Sequence, residues 1–306
     1  MQVLAENVLV LLIFSFIGWL LGSRRLLSTQ NLRILSVLEV WVFLPCNSLN
    51  SFSKNFTMEY VSEKYMLILI STCIILALIL LNYLLVPKLV SGKYRQNVIK
   101  YTLTVPNFGY VGYPLVQSVY GDLMLLNAQV FAVPMTVYLS TEGYRSLTNA
   151  DSVSLKKIIS PSLVGMMIGA VFGLTELELP AVAAKIASSG SSCMGPVSML
   201  LAGITISDYN IKDLLKNKTA YFVVFFRLLL IPIALCLILH PFVSREILMI
   251  TVLLYSMPCG LNTIVFPKMI GEDCRLGASM AMISTVACLI TIPLCMHILE
   301  LVCGGI

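Results

Sequence analysis

The stretch that decides the fold is "TVPNFGYVGYP", which runs from Thr104 to Pro114. It lies in the middle of a long apolar segment, where an uninterrupted helix would be expected. Pro106 removes one backbone N–H and clashes with the preceding helical turn, so it breaks such a helix. Asn107 then leaves an amide side chain at the break. The rest of the chain indicates what this break is for.

The composition places most of the chain in lipid. Of its 306 residues, 58% are hydrophobic and only 11% are charged, whereas soluble domains carry about 25% charged residues. Most residues therefore cannot face water, and the sequence predicts an all-α, multi-pass membrane protein. The nine cysteines form no CxxC pair, and the two histidines, His240 and His297, are far apart. We therefore expect no metal site and no cofactor.

A spanning helix needs about 20 apolar residues, and the chain contains ten segments of this kind. They are residues 3–22, 32–52, 64–86, 99–120, 125–144, 157–175, 183–206, 218–240, 246–268 and 276–301. No basic residue precedes the first segment, so we expect a retained helix rather than a signal peptide. With the N-terminus outside, fifteen of the twenty Lys and Arg residues fall inside and four outside, while Arg227 lies within a span. The positive-inside rule then predicts that both termini lie outside a cell (inner or plasma) membrane.

The two halves of the chain carry matching marks at offsets of 151 to 153 residues. The matches are Gly18 with Gly169, Gly22 with Gly173, Pro45 with Pro196, Pro106 with Pro258, and Pro114 with Pro267. Five spans in each half is an odd number, so the second half enters the membrane from the opposite side. We therefore predict two inverted five-helix repeats, residues 1–150 and 151–306, in which the broken spans four and nine cross.

Two crossed, broken helices favour the binding of an anion. Freed backbone groups are costly in hydrocarbon, so a break survives only where protein or a wet cavity satisfies them. Each break also creates a helix N-terminus with unpaired N–H groups and partial positive charge. The breaks "VPNFG" (105–109) and "MPCGLN" (257–262) should meet, with Asn107 and Asn262 supplying hydrogen bonds. The alternative for each break is a proline kink that binds nothing.

Several segments carry a family resemblance over essentially the whole chain. They are "GWLLGSRRLLS" (18–28), "FLPCNSL" (43–49), "LTVPNFGYVGYPLVQSVYG" (103–121), "MGPVSMLLAGITIS" (194–207), "RLLLIPIAL" (227–235), "YSMPCGLNTIVFPKMIG" (255–271) and "STVACLITIPL" (284–294). On these motifs the chain resembles a short prokaryotic member of the auxin efflux carrier family, of the malate and malonate permease kind. The two crossover segments are the most specific part of the resemblance.

The resemblance implies a secondary carrier that moves a small organic anion by an elevator-like alternation between a scaffold and a moving set of helices. Plant relatives export the auxin indole-3-acetate, and bacterial relatives are associated with malate, malonate or similar carboxylates. The substrate site predicted from the two crossover segments comprises Pro106, Asn107, Gly109, Pro258, Cys259, Gly260, Asn262 and Thr263. The partners expected are this anion and the lipid bilayer, with no nucleic acid, and relatives suggest a homodimer.

Three polar residues within the spans have more than one interpretation. Glu39 in span two and Arg227 in span eight could form an ion pair, or Glu39 could take up a proton. Alternatively, each side chain could reach the inner interface. Asn47, in a polar cluster of span two, is a further candidate for substrate binding. Hydrogen bonding between packed helices explains Asn47 equally well.

Two other classes of protein are disfavoured. An intramembrane aspartyl protease needs two carboxylates in one site, but the "YGD" segment (120–122) offers Asp122 without a second intramembrane Asp. No GxSG motif is present for a serine protease, so we do not expect an enzyme. A channel-like passive pore for small solutes is the alternative to a carrier. The sequence shows neither a ring of charges nor a filter-like carbonyl motif.

Overall fold

The computed structural model describes residues 2–27, 29–150 and 160–304. The described residues are mostly helical. The helices of the first half are α1 (Gln2–Ser23), α2 (Thr29–Leu38), α3 (Leu44–Asn55), α4 (Met58–Lys64), α5 (Met66–Leu89), α6 (Lys93–Thr104), α7 (Tyr113–Phe131), α8 (Val133–Tyr138) and α9 (Tyr144–Thr148). Those of the second half are α10 (Pro161–Leu174), α11 (Ala181–Ser207), α12 (Ile211–Leu215), α13 (Lys218–Phe225), α14 (Ile231–Leu239), α15 (Arg245–Tyr255), α16 (Asn262–Met269) and α17 (Arg275–Val302).

Single π-helical turns join or precede several of these helices. In the described part of the chain they are Glu39–Phe43 before α3, Phe108–Gly112 before α7, Leu139–Gly143 before α9 and Phe226–Leu230 before α14. A π-helical turn inserts an extra residue into the helical ladder and is often found at functional sites. At these turns the regular α-helical hydrogen-bond pattern is therefore interrupted.

Six helical runs among the described residues are long and apolar enough to cross a membrane. They are Gln2–Ser23, Ile34–Asn55, Met66–Leu89, Ala181–Ser207, Lys218–Leu239 and Arg275–Val302. Phe108–Phe131 and Val133–Thr148 form a pair bent by 46°, which makes a seventh if the pair is one span. The six runs correspond to predicted spans one, two, three, seven, eight and ten. The prediction of an all-helical, multi-pass membrane protein is confirmed.

The four other predicted spans fall on interrupted or short helices. Span four is divided between α6 and the start of α7, and span nine between α15 and α16. Gly121 has φ 82° inside α7, a conformation that glycine adopts readily, and the chain turns there between predicted spans four and five. Span six corresponds to α10, and its residues 157–159 lie outside the described part of the chain.

The protein places apolar side chains outside and polar side chains inside. On α5, the exposed residues Leu76, Leu80 and Leu84 follow one another at intervals of four and share one helix face. By contrast, Asn127 and Gln129 of α7 are fully buried. This distribution suits a protein in lipid. Hydrocarbon offers no hydrogen bonds to polar side chains, whereas packed helices can offer them to one another.

Glycines bring α1 into close contact with α11. A Cβ atom at Gly18 would lie 2.2 Å from the carbonyl oxygen of Leu200, and one at Gly203 would lie 1.8 Å from that of Ser15. Any side chain at these positions would push the two backbones apart. Small residues at such contacts are typical of helix packing in membranes.

The contact between α3 and α10 is packed in the same way. A Cβ atom at Gly169 would lie 2.7 Å from the Cβ of Phe52, and one at Gly173 would lie 2.5 Å from the carbonyl oxygen of Phe56. Gly169 and Gly173 are the sequence matches of Gly18 and Gly22. In each case the matched glycines of one half pack against a helix of the other half.

Candidate functional site

The two broken helices meet at their breaks. Between α6 and the π-helical turn that follows it, Pro106 forces the chain out of the helical conformation. Here the backbone N–H of Asn107 donates a hydrogen bond to the carbonyl oxygen of Pro258 at 2.9 Å. Pro106 also forms an isolated antiparallel bridge with Cys259. The prediction that the two breaks lie against each other is confirmed.

The second break, between α15 and α16, is held by its own side chains and by α17. The backbone N–H of Cys259 donates to Oγ of Ser284 at 3.0 Å. Oγ1 of Thr263 donates to the carbonyl oxygen of Gly260 at 2.9 Å. These bonds satisfy backbone groups that the break removes from the helical ladder. Cys259 and Thr263 therefore hold the shape of the break.

Asn262 connects the second break to the first broken helix. Its Nδ2 donates to the phenolic oxygen of Tyr101 on α6 at 3.0 Å. Tyr101 is buried and stacks on Tyr138, with ring centroids 6.3 Å apart. Sequence reasoning missed Tyr101, because an aromatic residue in an apolar span has the pattern of an ordinary core residue.

A cavity of about 640 Å³ lies against the crossing point. This volume is within the range of roughly 300–1,000 Å³ that is usual for small-molecule sites. Five of the predicted site residues line it: Pro106, Asn107, Gly109, Gly260 and Asn262. The rest of the lining includes residues of the π-helical turn before α3 and of α3, α10 and α11, among them Val40, Leu44, Met166 and Leu201. Pro258, Cys259, Thr263 and Asn47, which were also predicted, are not among the lining residues.

The cavity wall contains further polar side chains that the sequence analysis did not single out. They are Ser36, Tyr110, Tyr113, Thr136, Ser140, Ser160, Ser162, Thr205 and Lys268. Most are single hydroxyl groups on otherwise apolar helices, so no local pattern separates them from residues that pack between helices. Only Tyr110 and Tyr113 lay within the stretch that first indicated a site.

The electrostatics of the cavity favour a negatively charged ligand. α16 begins at Asn262, and the helical run that leads into α7 begins at Phe108; both residues line the cavity. The first N–H groups of a helix have no intrahelical acceptor and carry partial positive charge. Lys268, also in the wall, forms an ion pair with Asp208 at 2.8 Å. The described lining residues include no Asp or Glu.

Glu39 is buried directly behind this wall. It is fully inaccessible to solvent, although its neighbours Ser36 and Val40 line the cavity. Its Oε1 accepts a hydrogen bond from Oγ of Ser198 on α11, and its Oε2 has no hydrogen-bond partner among the described residues. Because the side chain is enclosed by protein, it does not reach the inner interface as one interpretation required.

Arg227 is also fully buried, on the π-helical turn before α14. Its guanidinium lies over the ring of Tyr255, with Cζ 5.4 Å from the ring centroid. None of its three side-chain nitrogens has a hydrogen-bond acceptor among the described residues. In the described structure, the ion pair that the sequence allowed between Glu39 and Arg227 does not form.

Asn47 belongs to a hydrogen-bond network between helices. Its Nδ2 donates to Oγ of Ser191 at 2.9 Å, and its Oδ1 accepts from Nε2 of Gln129 at 2.7 Å. Gln117 extends the network, accepting from Asn47 at 3.2 Å and donating to Asp122 at 2.9 Å. The network joins α3, α7 and α11 inside the protein. This geometry matches the second interpretation of Asn47, as a residue that packs helices together.

The fold and the site together define an all-helical membrane protein in which two broken helices meet beside a cavity. The family model described as "Membrane transport protein" matches residues 3–150 and again residues 144–296. The chain therefore belongs to the membrane transport protein family, that of the auxin efflux carriers. A comparison with curated proteins finds no match to this chain.

Proposed function

We propose that this membrane transporter is a secondary carrier for a small organic anion, a carboxylate such as malate or an auxin-like acid. The observation that carries the proposal is the contact between Asn107 and Pro258, which brings two helix N-termini to one wall of the cavity. Unpaired N–H groups at both N-termini can donate to a carboxylate there. Asn107 and Asn262 add side-chain donors without adding charge.

The proposed architecture is ten spans in two inverted five-helix repeats, residues 1–150 and 151–306. Two observations support it. The same family model matches two successive segments of the chain. In addition, Gly18 of α1 packs against α11, and its sequence match Gly169 of α10 packs against α3. In both contacts the first helix of one half packs against a helix of the other half. An inverted pair of repeats would produce this reciprocal packing. Both termini would then lie outside the cell membrane.

The proposed transport mechanism is a movement of one helix set against another. α1, α3, α10 and α11 pack closely through their glycines and form the candidate scaffold. The crossing helices would form the moving set, and the cavity has walls from both. Substrate bound at the crossing point would move with the moving set, so that the site opens to each side of the membrane in turn. A homodimer of this chain, joined through its scaffold helices, is also part of the proposal.

Counterflow in proteoliposomes tests the proposed function. Purified protein is reconstituted with unlabelled malate, malonate or indole-3-acetate inside, and uptake of the labelled acid is followed. We expect one acid to exchange at a rate well above that of protein-free liposomes. Asn107→Ala should abolish this exchange. Asn97→Ala is the matched control, because Asn97 bonds to Ser146 away from the cavity and its loss should leave exchange unchanged.

Three other outcomes would contradict the proposal. If no acid exchanges although the protein is monodisperse, the carboxylate carrier is excluded. If the acids move down their gradient without counterflow, and current is recorded, the protein is a passive pore. If Asn107→Ala exchanges like the wild type, the crossing point is not the binding site.

A further inference from the structure

Glu39 is a buried acid beside the proposed transport site, and its Oε2 has no hydrogen-bond partner among the described residues. We propose that Glu39 is the proton-binding site that couples transport of the anion to a proton gradient. The inference rests on the proposed carrier function and adds the identity of the co-transported ion.

The surroundings of Glu39 suit a carboxyl group that changes its protonation state. An ionised carboxylate buried in protein needs counter-charges or several hydrogen bonds. Glu39 receives one hydrogen bond, from Ser198, and its Oε2 has no partner among the described residues. A proton on Oε2 would neutralise the group. The arrangement therefore accommodates a neutral acid in this state and leaves one oxygen free to accept a proton.

Few other titratable groups face Glu39. The turn that carries it packs against α2, α3, α10 and α11. On these helices the titratable residues are Arg33, whose side chain lies outside the description, Cys46, Lys54, Lys185 and Cys193; α10 has none. Lys54, fifteen residues along the chain from Glu39, forms an ion pair with Asp122 at 3.4 Å. Lys185 is thirteen residues from Ser198 on α11, about 20 Å along the helix. From the π-helical turn before α7, Tyr110 lies within electrostatic range of Glu39.

Tyr110 offers a route between the cavity and Glu39. It lines the cavity and lies within electrostatic range of the buried carboxyl group. Glu39 lies in the turn that leads into α3 of the candidate scaffold, whereas Tyr110 follows the first break in the moving set. A shift of that set would therefore change the access of Glu39 to cavity water. This is the requirement for coupling, because the proton must be taken up from one side and released to the other.

The proton step balances simply. Uptake joins the carboxylate of Glu39 to a proton from a hydronium ion in the cavity, leaving one water molecule and a neutral carboxylic acid. Release on the other side restores the carboxylate and the hydronium ion. One negative charge on the substrate can thus cross together with one proton. No oxidant, reductant or further reactant is required.

The experiment compares exchange with gradient-driven accumulation in the same proteoliposomes. The probe is labelled malate, or labelled indole-3-acetate where malate does not exchange, with protein-free liposomes subtracted. The membrane potential is clamped with potassium and valinomycin. A gradient of one pH unit should then accumulate the acid up to about tenfold in wild-type vesicles, since one unit is a tenfold proton gradient. In Glu39→Gln, the ratio of accumulation to exchange should fall to about one tenth of the wild-type ratio or less.

Two further variants make the result specific. Glu39→Asp keeps a carboxyl group and should keep accumulation above that of Glu39→Gln. Glu142→Gln is the matched control, because Glu142 also lies in a π-helical turn but is paired with Arg145 at the surface. It should accumulate the acid as the wild type does. Asp273 should not contribute to the pH response, since hydrogen bonds from Arg275 lower its pKa and keep it ionised at neutral pH.

The outcomes separate this inference from the proposed function. If the wild type exchanges the acid but a pH gradient drives no accumulation, proton coupling is overturned and the carrier stands. The same holds if Glu39→Gln accumulates like the wild type. If no acid exchanges at all, both proposals fall. If Glu39→Gln does not fold, a second measurement decides: a pH dye follows the uptake of protons when malate binds to the wild type and to Glu39→Asp. Absence of proton uptake in this measurement overturns the inference.

Discussion

The backbone N–H of Asn107 and the carbonyl oxygen of Pro258 are joined by a hydrogen bond of 2.9 Å. Each proline break frees backbone groups of its own helix, and at this contact one break satisfies the other. The crossing point is therefore a structural unit rather than two separate kinks. A substitution that disturbs the hydrogen bonds of one break should therefore also destabilise the other break.

The first prediction concerns the support behind the second break. Ser284→Ala removes the acceptor of the Cys259 N–H, which lies 3.0 Å from Oγ in a fully buried position. An unsatisfied buried donor costs about 1–3 kcal/mol, so we expect a lower Tm in detergent and weaker substrate binding. Ser279→Ala is the control, because among the described residues the Ser279 hydroxyl bonds within its own helix, to the carbonyl oxygen of Arg275. Equal Tm values for the two variants would contradict the prediction.

The all-helical membrane fold class and the two helix breaks could be predicted from the sequence, because they depend on local chemistry. Apolar runs of sufficient length indicate spans, and Pro106 and Pro258 interrupt helices wherever they occur. The matched glycines were visible as a repeat, although only the structure shows that Gly18 and Gly169 pack against other helices. These features require no knowledge of which segments are neighbours.

The walls of the cavity could not be predicted in the same way. Tyr101 and Ser198 have roles that depend on partners more than 150 residues away, Asn262 and Glu39. A hydroxyl on an apolar helix looks the same in sequence whether it faces a cavity or a neighbour. For the same reason the sequence groups Asn47 with the site, although its side chain bonds to residues of two other helices, α7 and α11.

The second prediction separates packing from binding at two glycines. A Cβ atom at Gly203 would lie 1.8 Å from a backbone oxygen of α1, whereas one at Gly109 would meet no atom within 4 Å. Overpacking costs about 1–3 kcal/mol, so Gly203→Ala should lower Tm and Gly109→Ala should not. Because Gly109 lines the cavity, its variant should instead reduce exchange of bulky indole-3-acetate more than exchange of malate. Thermal unfolding and counterflow, measured on both variants, check the two halves of the prediction.

The third prediction concerns the positive charge in the cavity wall. Lys268 is partly exposed and paired with Asp208. Such a charge attracts anions over a distance of about 10 Å at 0.1 M salt. Lys268→Ala should therefore raise KM severalfold for a dicarboxylate at low ionic strength, and the difference should shrink at high salt. Lys216→Ala, at an exposed pair with Asp213 outside the cavity, should leave KM unchanged. A KM effect of Lys268→Ala that does not depend on salt would argue for direct contact instead.

The fourth prediction concerns the buried cation next to the crossing point. Arg227 has no acceptor for its N–H groups among the described residues, and its guanidinium lies over Tyr255 and within electrostatic range of Cys259. Replacing a poorly compensated buried charge by an apolar residue of similar size is often neutral or stabilising. Arg227→Met should therefore keep or raise Tm. If the charge serves the fold alone, exchange should survive this change.

We expect exchange to be weakened instead. At an effective dielectric constant of 20, a unit charge about 10 Å from a carboxylate stabilises it by about 1.7 kcal/mol, or nearly 20-fold in affinity. Arg227→Met should weaken binding of malate by about this factor, while Arg227→Lys, which keeps the charge, should weaken it less. Arg245→Met, at an exposed arginine of α15, is the control for a change in net charge. Malate affinity and Tm measured on all three variants distinguish a cation that attracts the substrate from one that only fills space.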